Sequence, residues 1–490
     1  MGNPAVYVVL VAVVARGLFA AFTGLGIDES YMVGASSQFH ASYFDHPLAS
    51  WWLELASRWL FGSESPLVVR LPFVALSAVS SWLLYALTYR LYGRKAAFWA
   101  VVAYSISPVF SLAFGSWVLP DGPLDDALLA AAYALSRALG VAEQPAKPEP
   151  GWWAAAGAFA GLALLSKYSA ALVLAGAVLF LLTDPASRPQ LKRWWPWAAG
   201  LLAVAMFSPV IVWNATHHWQ SFNYQSGRAV GLRLHLLAPL TIWGGEALFL
   251  LPWLWLPLAA LLIGALRRGP AERRGWLLAM LGVIPIMLFS VVGIWSATRI
   301  LYHWATPGYL LLLPMLGNWA AGWRPAWRDN IALASATLLA GAACLIAAET
   351  SFGFIPNLDR VFAPGKSPLL QAVNWDSVRP DILHRDVQAV AALRWYDAGK
   401  IAYALRGALP VTVFGPEPHE FGDSAPPSTL LGKNVLLLAM PGDVSAITRQ
   451  YAPYFKSLTP APAINVTFHG AVLLVIPALL GNDMIAVPPN

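Results

Sequence analysis

The 490-residue sequence contains one cysteine and few charged residues. Because Cys344 is the only cysteine, an intramolecular disulfide bond is excluded, and we assign this residue no role. Charged residues make up 11% of the chain, against about 25% in an ordinary soluble domain. The sequence also has no P-loop and no Rossmann glycine fingerprint, so it predicts no nucleotide cofactor.

Apolar residues dominate the composition: 58% of the chain is hydrophobic, and 24 residues are tryptophan. Many runs approach the roughly 20 apolar residues that a membrane-spanning helix needs, so the sequence predicts a polytopic membrane protein. Met1–Phe22 lacks the basic head and cleavage site of a signal peptide and is expected to remain as the first span. Eleven spans are predicted, near residues 5–23, 66–89, 96–114, 122–139, 151–166, 169–183, 195–213, 237–265 (with a possible bend at Pro252 or Pro257), 276–294, 305–320 and 330–348.

The basic residues are concentrated in every second loop between these spans. Since lysine and arginine accumulate in cytoplasmic loops, the other loops and the tail after Ser351 are predicted to lie outside. The net charge of +6 therefore reflects topology and does not indicate nucleic-acid binding. The basic loops contain Arg90, Arg94 and Lys95; Arg137 and Lys147; Arg188, Lys192 and Arg193; Arg267, Arg268, Arg273 and Arg274; and Arg324 and Arg328. The outer loops contain Arg58, Lys167, Arg228, Arg233 and Arg299.

From about residue 350 the sequence becomes polar and rich in proline. The segment "DVQAVAALRWYDAGKIAYAL" has the apolar spacing of a helix. "PVTVFG" and "NVLLLAM" are typical of buried strands, and "NVTFHGAVLLVIPA" of a third and fourth strand. We predict a membrane domain over residues 1–349 and a small extracytoplasmic α/β domain over residues 350–490.

The first outer loop combines tryptophans, acids and histidines. Trp51, Trp52 and Trp59 are predicted to lie on interfacial helices, where tryptophan is favoured, and membrane anchoring is a sufficient role for them. Asp28 and Glu29 follow the first span, where a buried carboxylate is costly. Asp28 is either the N-cap of a helix that begins near Ser30 or a general base that deprotonates a hydroxyl or an amine.

Two outer loops carry possible metal ligands. Asp45-His46-Pro47 lies in the first loop, and His217 and His218 are adjacent in a later one. Aspartate and histidine suit a divalent ion such as zinc, magnesium or manganese, and they also suit phosphate or sugar binding. An adjacent pair does not make a complete metal site, so surface histidines without a ligand are the alternative.

Further polar residues lie at the outer ends of predicted spans. Asp121 precedes Pro123 and fits a helix cap, with Asp125 one turn further along the same face. Lys167, beside Tyr168, either snorkels to the interface or holds an anionic lipid phosphate. Such a phosphate would also account for three further cationic residues on the outer side, which are Arg228, Arg299 and His303.

As an ordered set, the motifs of residues 1–320 resemble the polyprenyl-phosphate-dependent glycosyltransferases of the GT-C fold. They are similar to the bacterial branch of the protein O-mannosyltransferase superfamily, related to glycosyltransferase families 39 and 83. That branch includes the transferases that add aminoarabinose or galacturonic acid to lipid A. The tail segments "ALRWYDAGKIAYAL" and "LLGKNVLLLAM" resemble its periplasmic domain. The motifs are "DES", "YFDHPLASWWL", "VRLP", "YGRKAA", "SPVF", "LPDGPL", "LLSKYSA" and "VWNATHHWQSF".

The resemblance implies roles for particular residues. Asp28 and Glu29 match the acidic pair of the first outer loop, where the aspartate is the catalytic base or lies beside it. Asp45 matches an acid that binds a divalent metal in relatives, and Asp121 matches the acid of the second outer loop. Lys167 and Tyr168 match the residues expected near the donor phosphate. From their own chemistry, we add Arg228, Arg299 and His46 to the residues expected to bind that phosphate.

The chain departs from the relatives at two places. His46 stands where many relatives that modify lipid A have lysine, and His303-Trp304-Ala305 replaces a common Asn-Trp-Pro pattern. These departures leave the sugar and the acceptor open.

We therefore predict a membrane all-α GT-C protein that acts as an inverting glycosyltransferase in the bacterial inner membrane, with its active site outside. The expected donor is a sugar on a polyprenyl phosphate, and the acceptor is a lipid such as lipid A, a polysaccharide or a protein. A transporter or flippase of lipid-linked sugars is one alternative, and a ligase or polymerase of surface polysaccharides is another. A transporter favours repeated halves and polar residues at the bilayer midplane; Arg16 is the one ionisable residue that we place away from the span ends.

Overall fold

The computed structural model describes residues 3–142, 147–228, 234–296, 298–355, 362 and 367–489. Arg233, one of the predicted outer cations, lies outside these residues, as does most of the polar segment that begins the tail. The chain forms two compact units. The first comprises residues 1–18, 40–50 and 71–342, and the second comprises residues 19–39, 51–70 and 343–490. The predicted boundary between residues 349 and 350 stays a prediction.

Helices make up the first unit, whereas the second unit combines helices with a sheet. The helices are α1 (Pro4–Phe22), α2 (Ile27–Ala35), α3 (Ala49–Phe61), α4 (Pro66–Tyr92), α5 (Arg94–Ile106), α6 (Phe114–Ser116), α7 (Asp121–Ala138), α8 (Trp152–Ser166), α9 (Ala170–Thr183), α10 (Trp195–Thr216), α11 (Gln220–Gly227), α12 (Ala238–Leu250), α13 (Pro252–Arg268), α14 (Arg273–Val292), α15 (Thr306–Ala321), α16 (Pro325–Phe352), α17 (Pro368–Ala372), α18 (Val378–Leu383), α19 (Trp395–Leu405), α20 (Phe421–Ser424) and α21 (Val444–Tyr451). The strands are β1 (Ala389–Ala392), β2 (Val411–Val413), β3 (Val435–Leu438), β4 (Phe455–Phe468) and β5 (Ala471–Met484).

The first unit is a helix bundle around a core of alanine, leucine and aromatic side chains. Small residues allow close crossings: a Cβ on Gly176 of α9 would lie 2.1 Å from the carbonyl oxygen of Met280 in α14. Likewise, a Cβ on Gly317 of α15 would lie 2.4 Å from the carbonyl oxygen of Ala96 in α5. Packing through small residues is typical of helices in membranes, where lipid is as apolar as the side chains.

The helices of the described residues confirm a multi-pass membrane protein. Five of them, α1, α4, α10, α14 and α16, are long and apolar enough to cross a bilayer. Two bent pairs of helices also qualify. In the first pair, α5 meets the π-helical turn and α6 with a bend of 78°, and in the second pair α12 meets α13 with a bend of 117°. The second bend occurs at Pro252, and α13 continues through Pro257. The eleven predicted spans coincide with these helices or with the shorter α7, α8, α9 and α15, while the number of crossings stays a prediction.

The second unit contains a five-stranded sheet in the order β2-β1-β3-β5-β4. Strand β1 pairs in parallel with β2 and β3, whereas β5 pairs antiparallel with β3 and β4. Helix α19 connects the parallel strands β1 and β2, as such a crossover requires. The segments predicted as strands coincide with β2, β3 and the β4–β5 hairpin.

The first half of one predicted helix is wrong. Within residues 386–405, Ala389–Ala392 forms strand β1, and α19 begins only at Trp395. All four strand residues are completely buried, and strands lie on both sides of them. A strand buried on both faces does not alternate apolar and polar residues, so an Ala-Val-Ala-Ala run reads equally well as a helix.

Helix α3 coincides with the predicted interfacial helices of the first outer loop and carries all three of their tryptophans. Trp59 is 83% exposed and Trp52 is 41% exposed, in agreement with an interfacial position. The same prediction is wrong for Trp51, which is completely buried and packs edge-on against Tyr31 with a centroid distance of 5.7 Å. Trp51 is therefore a core residue of the second unit.

The substitution Gly317→Ala is expected to destabilise the bundle by about 1–3 kcal/mol, because its Cβ would overpack the crossing with α5. Gly341 in α16 has open space where a Cβ would lie, so Gly341→Ala is expected to be neutral or to stabilise by up to about 1 kcal/mol through helix propensity. Thermal unfolding in detergent measures both variants. Equal shifts would contradict the close crossing.

Candidate functional site

Asp121 and Lys167 form a buried ion pair in the first unit. Asp121 is the first residue of α7, and Lys167 follows the last residue of α8. The lysine Nζ lies 2.8 Å from both carboxylate oxygens. The snorkelling interpretation of Lys167 is thus wrong, and Asp121 makes no side-chain cap for its helix. Because desolvating two charges is costly, the pair is a candidate for a functional role.

Two histidines lie in the electrostatic field of this ion pair. Burial is the main cause that lowers the pKa of both His46 and His303 to about 4, and the positive charge of Lys167 is the next. Both imidazoles are therefore neutral at pH 7. The Nδ1 of His46 is enclosed and has no hydrogen-bond partner among the residues that the structure describes. His46 is thus not the cation that its predicted role as a phosphate ligand suggests, and it offers neutral hydrogen bonds instead.

Arg228 adds a second cation to this cluster. Its guanidinium lies over the rings of Tyr224, at 4.4 Å, and Trp304, at 5.3 Å, and it also bonds the Tyr224 hydroxyl. It forms no ion pair with any residue in the described part of the chain. Lys167, Arg228 and Asp121 together leave one net positive charge. A guanidinium and an ammonium beside neutral histidines form a suitable site for a phosphate anion.

Asp125 continues the polar face of α7 one turn beyond Asp121. It is 1% exposed, and within the described ranges neither of its carboxyl oxygens has a hydrogen-bond partner. The neighbouring Asp126 accepts a hydrogen bond from Ser80 at 2.5 Å. Asp125 and Asp126 thus place carboxyl groups inside the helix bundle, at positions of α7 where apolar side chains would be expected.

The predicted metal ligands do not form a metal site. The main-chain oxygen of Asp45 accepts a hydrogen bond from Gln225 at 2.6 Å. The ring of His217 stacks on Trp213, and its Nδ1 lies 2.8 Å from the Trp213 carbonyl oxygen. His218 lies in the turn that follows, with φ of 55°. Counting only the residues that the structure describes, no three His, Cys, Asp or Glu residues are placed to hold an ion, so this set does not fit a divalent metal.

Tyr168 and Arg299 have other partners. The hydroxyl of Tyr168 lies 2.7 Å from that of Ser221, which ties the end of α8 to α11. Arg299 is exposed and donates a hydrogen bond to the Tyr302 hydroxyl at 2.7 Å. Arg299 lines an open cavity of about 730 Å³, whose other walls include His235. Neither contact supports direct participation in the cluster around Lys167.

In the second unit, Asp28 and Glu29 have different environments. Helix α2 begins at Ile27 after the cap residue Gly26, so the interpretation of Asp28 as the N-cap is wrong. Asp28 is exposed in the first turn, where the helix dipole stabilises a negative charge. Glu29 is buried, and its carboxylate accepts hydrogen bonds from Arg70 at 2.7 and 2.5 Å and from the amide of Gly26 at 2.8 Å. Asp28 is therefore the accessible carboxylate of the pair, whereas Glu29 binds Arg70 and the backbone amide of Gly26.

Arg70 is a residue whose role the sequence did not reveal. The residue is 0% exposed, and its guanidinium donates to the carbonyl oxygens of Ala20, Thr23 and Gly24, at 3.0, 2.9 and 2.7 Å. The available signal was an arginine within an apolar run, in the motif "VRLP". A charge in such a run is commonly functional or paired, although the sequence does not show with which residue.

Comparisons with known proteins agree with this architecture. Residues 45–213 match the family described as dolichyl-phosphate-mannose-protein mannosyltransferase. The undecaprenyl phosphate-alpha-4-amino-4-deoxy-L-arabinose arabinosyl transferase of Pectobacterium carotovorum subsp. carotovorum (strain PC1) is 25% identical over 346 residues. The match covers 66% of this chain and 58% of that relative, so this chain spans less than two thirds of the relative's length.

The fold is similar to that of ArnT from Cupriavidus metallidurans. The crystal structure of that protein bound to undecaprenyl phosphate gives a TM-score of 0.64 at 15% identity, over 97% of each chain. Its apo structure gives the same TM-score at 16% identity. These comparisons confirm the resemblance seen in the sequence and the GT-C type of fold.

The lowered pKa of His46 predicts a pH dependence of stability. Between about pH 6.5 and pH 4 the unfolded chain binds a proton at this residue that the folded chain does not, so stability should fall as the pH falls through this range. His46→Gln removes the group and should flatten the fall. Thermal unfolding from pH 4 to pH 7 measures it, with His384→Gln, at an exposed histidine, as the control. An unchanged pH dependence in the His46 variant would contradict the neutral imidazole.

Proposed function

We propose that this protein is an inverting glycosyltransferase that moves a sugar from a polyprenyl phosphate to a cell-envelope acceptor on the outer side of the bacterial inner membrane. The observation that carries the proposal is the fold shared with ArnT over 97% of both chains, since one of those structures holds undecaprenyl phosphate. The curated relative named as an undecaprenyl phosphate-aminoarabinose arabinosyl transferase supports the same donor class. The acceptor is a lipid such as lipid A, a polysaccharide or a protein.

The cluster around Lys167 is the proposed site for the donor phosphate. Asp121 holds the lysine with both of its oxygens and so fixes the direction of the ammonium group, which retains capacity to donate to a phosphate. Arg228 is held by two aromatic rings, and His46 is a neutral hydrogen-bonding partner. As the anomeric carbon–oxygen bond breaks, its electron pair passes to the phosphate oxygen, and these two fixed cations stabilise the developing charge.

Asp28 is the proposed general base. It is exposed in the first turn of α2, and the side chain of Glu29 accepts a hydrogen bond from the amide of Gly26 at the start of that helix. The acceptor hydroxyl or amine attacks the anomeric carbon while Asp28 takes its proton. The new glycosidic bond forms on the face opposite the departing polyprenyl phosphate, and the configuration at that carbon inverts. The reaction needs no nucleotide, because the lipid phosphate is the leaving group.

We further propose the finer organisation that the sequence predicts. The basic loops face the cytoplasm, the chain crosses the membrane about eleven times, and residues 350–490 form an extracytoplasmic α/β domain. The sheet β1–β5 and its helices support that domain. The alternation of basic loops supports the orientation.

The substitution Asp28→Asn is expected to reduce transfer by about 10²–10⁴-fold, the usual contribution of a general base. The measurement uses purified protein in lipid vesicles with polyprenyl-phosphate sugars and cell-envelope lipids, and it follows the glycan mass shift by mass spectrometry. The matched control is Asp329→Asn, at an exposed aspartate beside Arg328, which should retain activity. If the wild type transfers no sugar and instead moves the donor across the bilayer, the protein is a transporter.

The substitution Lys167→Met is expected to weaken binding of polyprenyl phosphate by roughly 10–100-fold, in line with the loss of a charge-assisted hydrogen bond. Binding to purified protein in detergent gives the dissociation constant without need for the sugar or acceptor. The control is Lys192→Met, at an exposed lysine of a predicted cytoplasmic loop. Equal affinity of Lys167→Met and the wild type would remove this residue from the donor site.

A further inference from the structure

The loop that precedes Asp28 is held from two directions within the second unit. Arg70 of α4 donates to the carbonyl oxygen of Gly24 at 2.7 Å. Lys400 of α19 donates to the carbonyl oxygen of the next residue, Leu25, at 2.5 Å. The amide of Leu25 donates to the side chain of Asn374 at 3.0 Å. The backbone immediately before the helix that carries Asp28 is thus fixed by side chains from distant parts of the chain.

Lys400 is an unusual residue for this position. It is 2% exposed, and burying an ammonium group is costly unless hydrogen bonds compensate it. Its hydrogen bonds go to three carbonyl oxygens, those of Leu25, Gln371 and Val373, at 2.5, 2.8 and 3.1 Å. Two of the acceptors belong to the segment before α18, and the third belongs to the Asp28 loop. The ammonium group therefore joins that loop to the C-terminal part of the chain.

The helix that carries Asp28 is also packed tightly against the helix that carries Lys400. A Cβ on Gly399 of α19 would lie 2.7 Å from the Cα of Tyr31, and a Cβ on Gly34 of α2 would lie 2.8 Å from the Cβ of Ala402. Glycine at these two positions allows the backbones of α2 and α19 to touch. Farther along, the hydroxyl of Tyr31 accepts a hydrogen bond from the amide of Glu420 at 2.9 Å.

We infer that the C-terminal α/β segment positions the proposed catalytic carboxylate, with Lys400 and Asn374 as positioning residues for Asp28. The inference rests on the proposed function, because it assumes that Asp28 is the base. It assigns the segment a part in the chemical step: Lys400 and Asn374 act on Asp28 through the backbone of Leu25, three residues before it.

The test compares Lys400→Met with the wild type in vesicles. Because a small misplacement of a catalytic group costs up to about 10²-fold in rate, kcat should fall by about 10–100-fold. The KM for the donor should stay within roughly twofold, since an interaction used only in the chemical step affects kcat. Lys456→Met, at an exposed lysine of strand β4 that pairs with Asp483, should leave both values unchanged.

Hydrogen–deuterium exchange gives a readout that does not depend on activity. In Lys400→Met the amides of residues 23–28 should exchange faster, whereas those of strands β1 and β3 should exchange as in the wild type. Faster exchange throughout the second unit would show a failure to fold, and Asn374→Ala, which removes one hydrogen bond to Leu25, then provides the same comparison. Should the wild type transfer no sugar, the proposed function fails, while the exchange measurement still decides whether Lys400 holds the loop.

Two outcomes would overturn the inference. One is unchanged exchange at residues 23–28 in both variants, which would show that the loop does not depend on these contacts. The other is faster exchange in the loop without any fall in kcat, which would show that its position does not matter for the reaction.

Discussion

The buried contact between Arg70 and Glu29 organises the second unit around its candidate catalytic residue. Because Arg70 is buried, its guanidinium must have its donors satisfied within the fold. Arg70 achieves this by bonding a carboxylate and the free carbonyl oxygens at the end of α1, which no helical amide can reach. The side chain of Arg70 thus binds both the end of α1 and, through Glu29, the first turn of α2. Asp28, in that same turn, is exposed.

The first unit shows a different use of scarce charge. Lys167 is neutralised by Asp121 at 2.8 Å, while Arg228 is stabilised by aromatic faces. The nearby His46 and His303 remain neutral because burial and the adjacent cations oppose their protonation. Of the four basic side chains in this cluster, only the lysine and the arginine are charged, and Asp121 neutralises the lysine. Such an arrangement retains attraction for an anion without strong repulsion in its absence.

The sequence predicts the helices of the first unit well, because a membrane helix needs a long apolar run and the predicted spans coincide with helices or bent pairs. The second unit is harder to predict, since Ala389–Ala392 is apolar in every position and shows neither helical nor strand periodicity. The candidate residues of the site were visible in the sequence as acids and cations in loops that are predicted to lie outside. Their partners were not: Asp121 pairs with a lysine 46 residues away, and spacing along the chain contains no information about such contacts. The stacking of His217 on Trp213 is another contact that the sequence did not reveal.

The hydrogen bond between Lys400 and Leu25 joins residues that are 375 positions apart in the chain. At a ribosomal rate of about 5–20 residues per second, roughly 20–75 seconds separate the synthesis of these two residues. During that interval α2 exists without α19, so the glycine surface of Gly34 and the carbonyl oxygen of Leu25 lack their final partners. In newly made protein, the backbone before Asp28 would therefore acquire these contacts only after Lys400 has been synthesised.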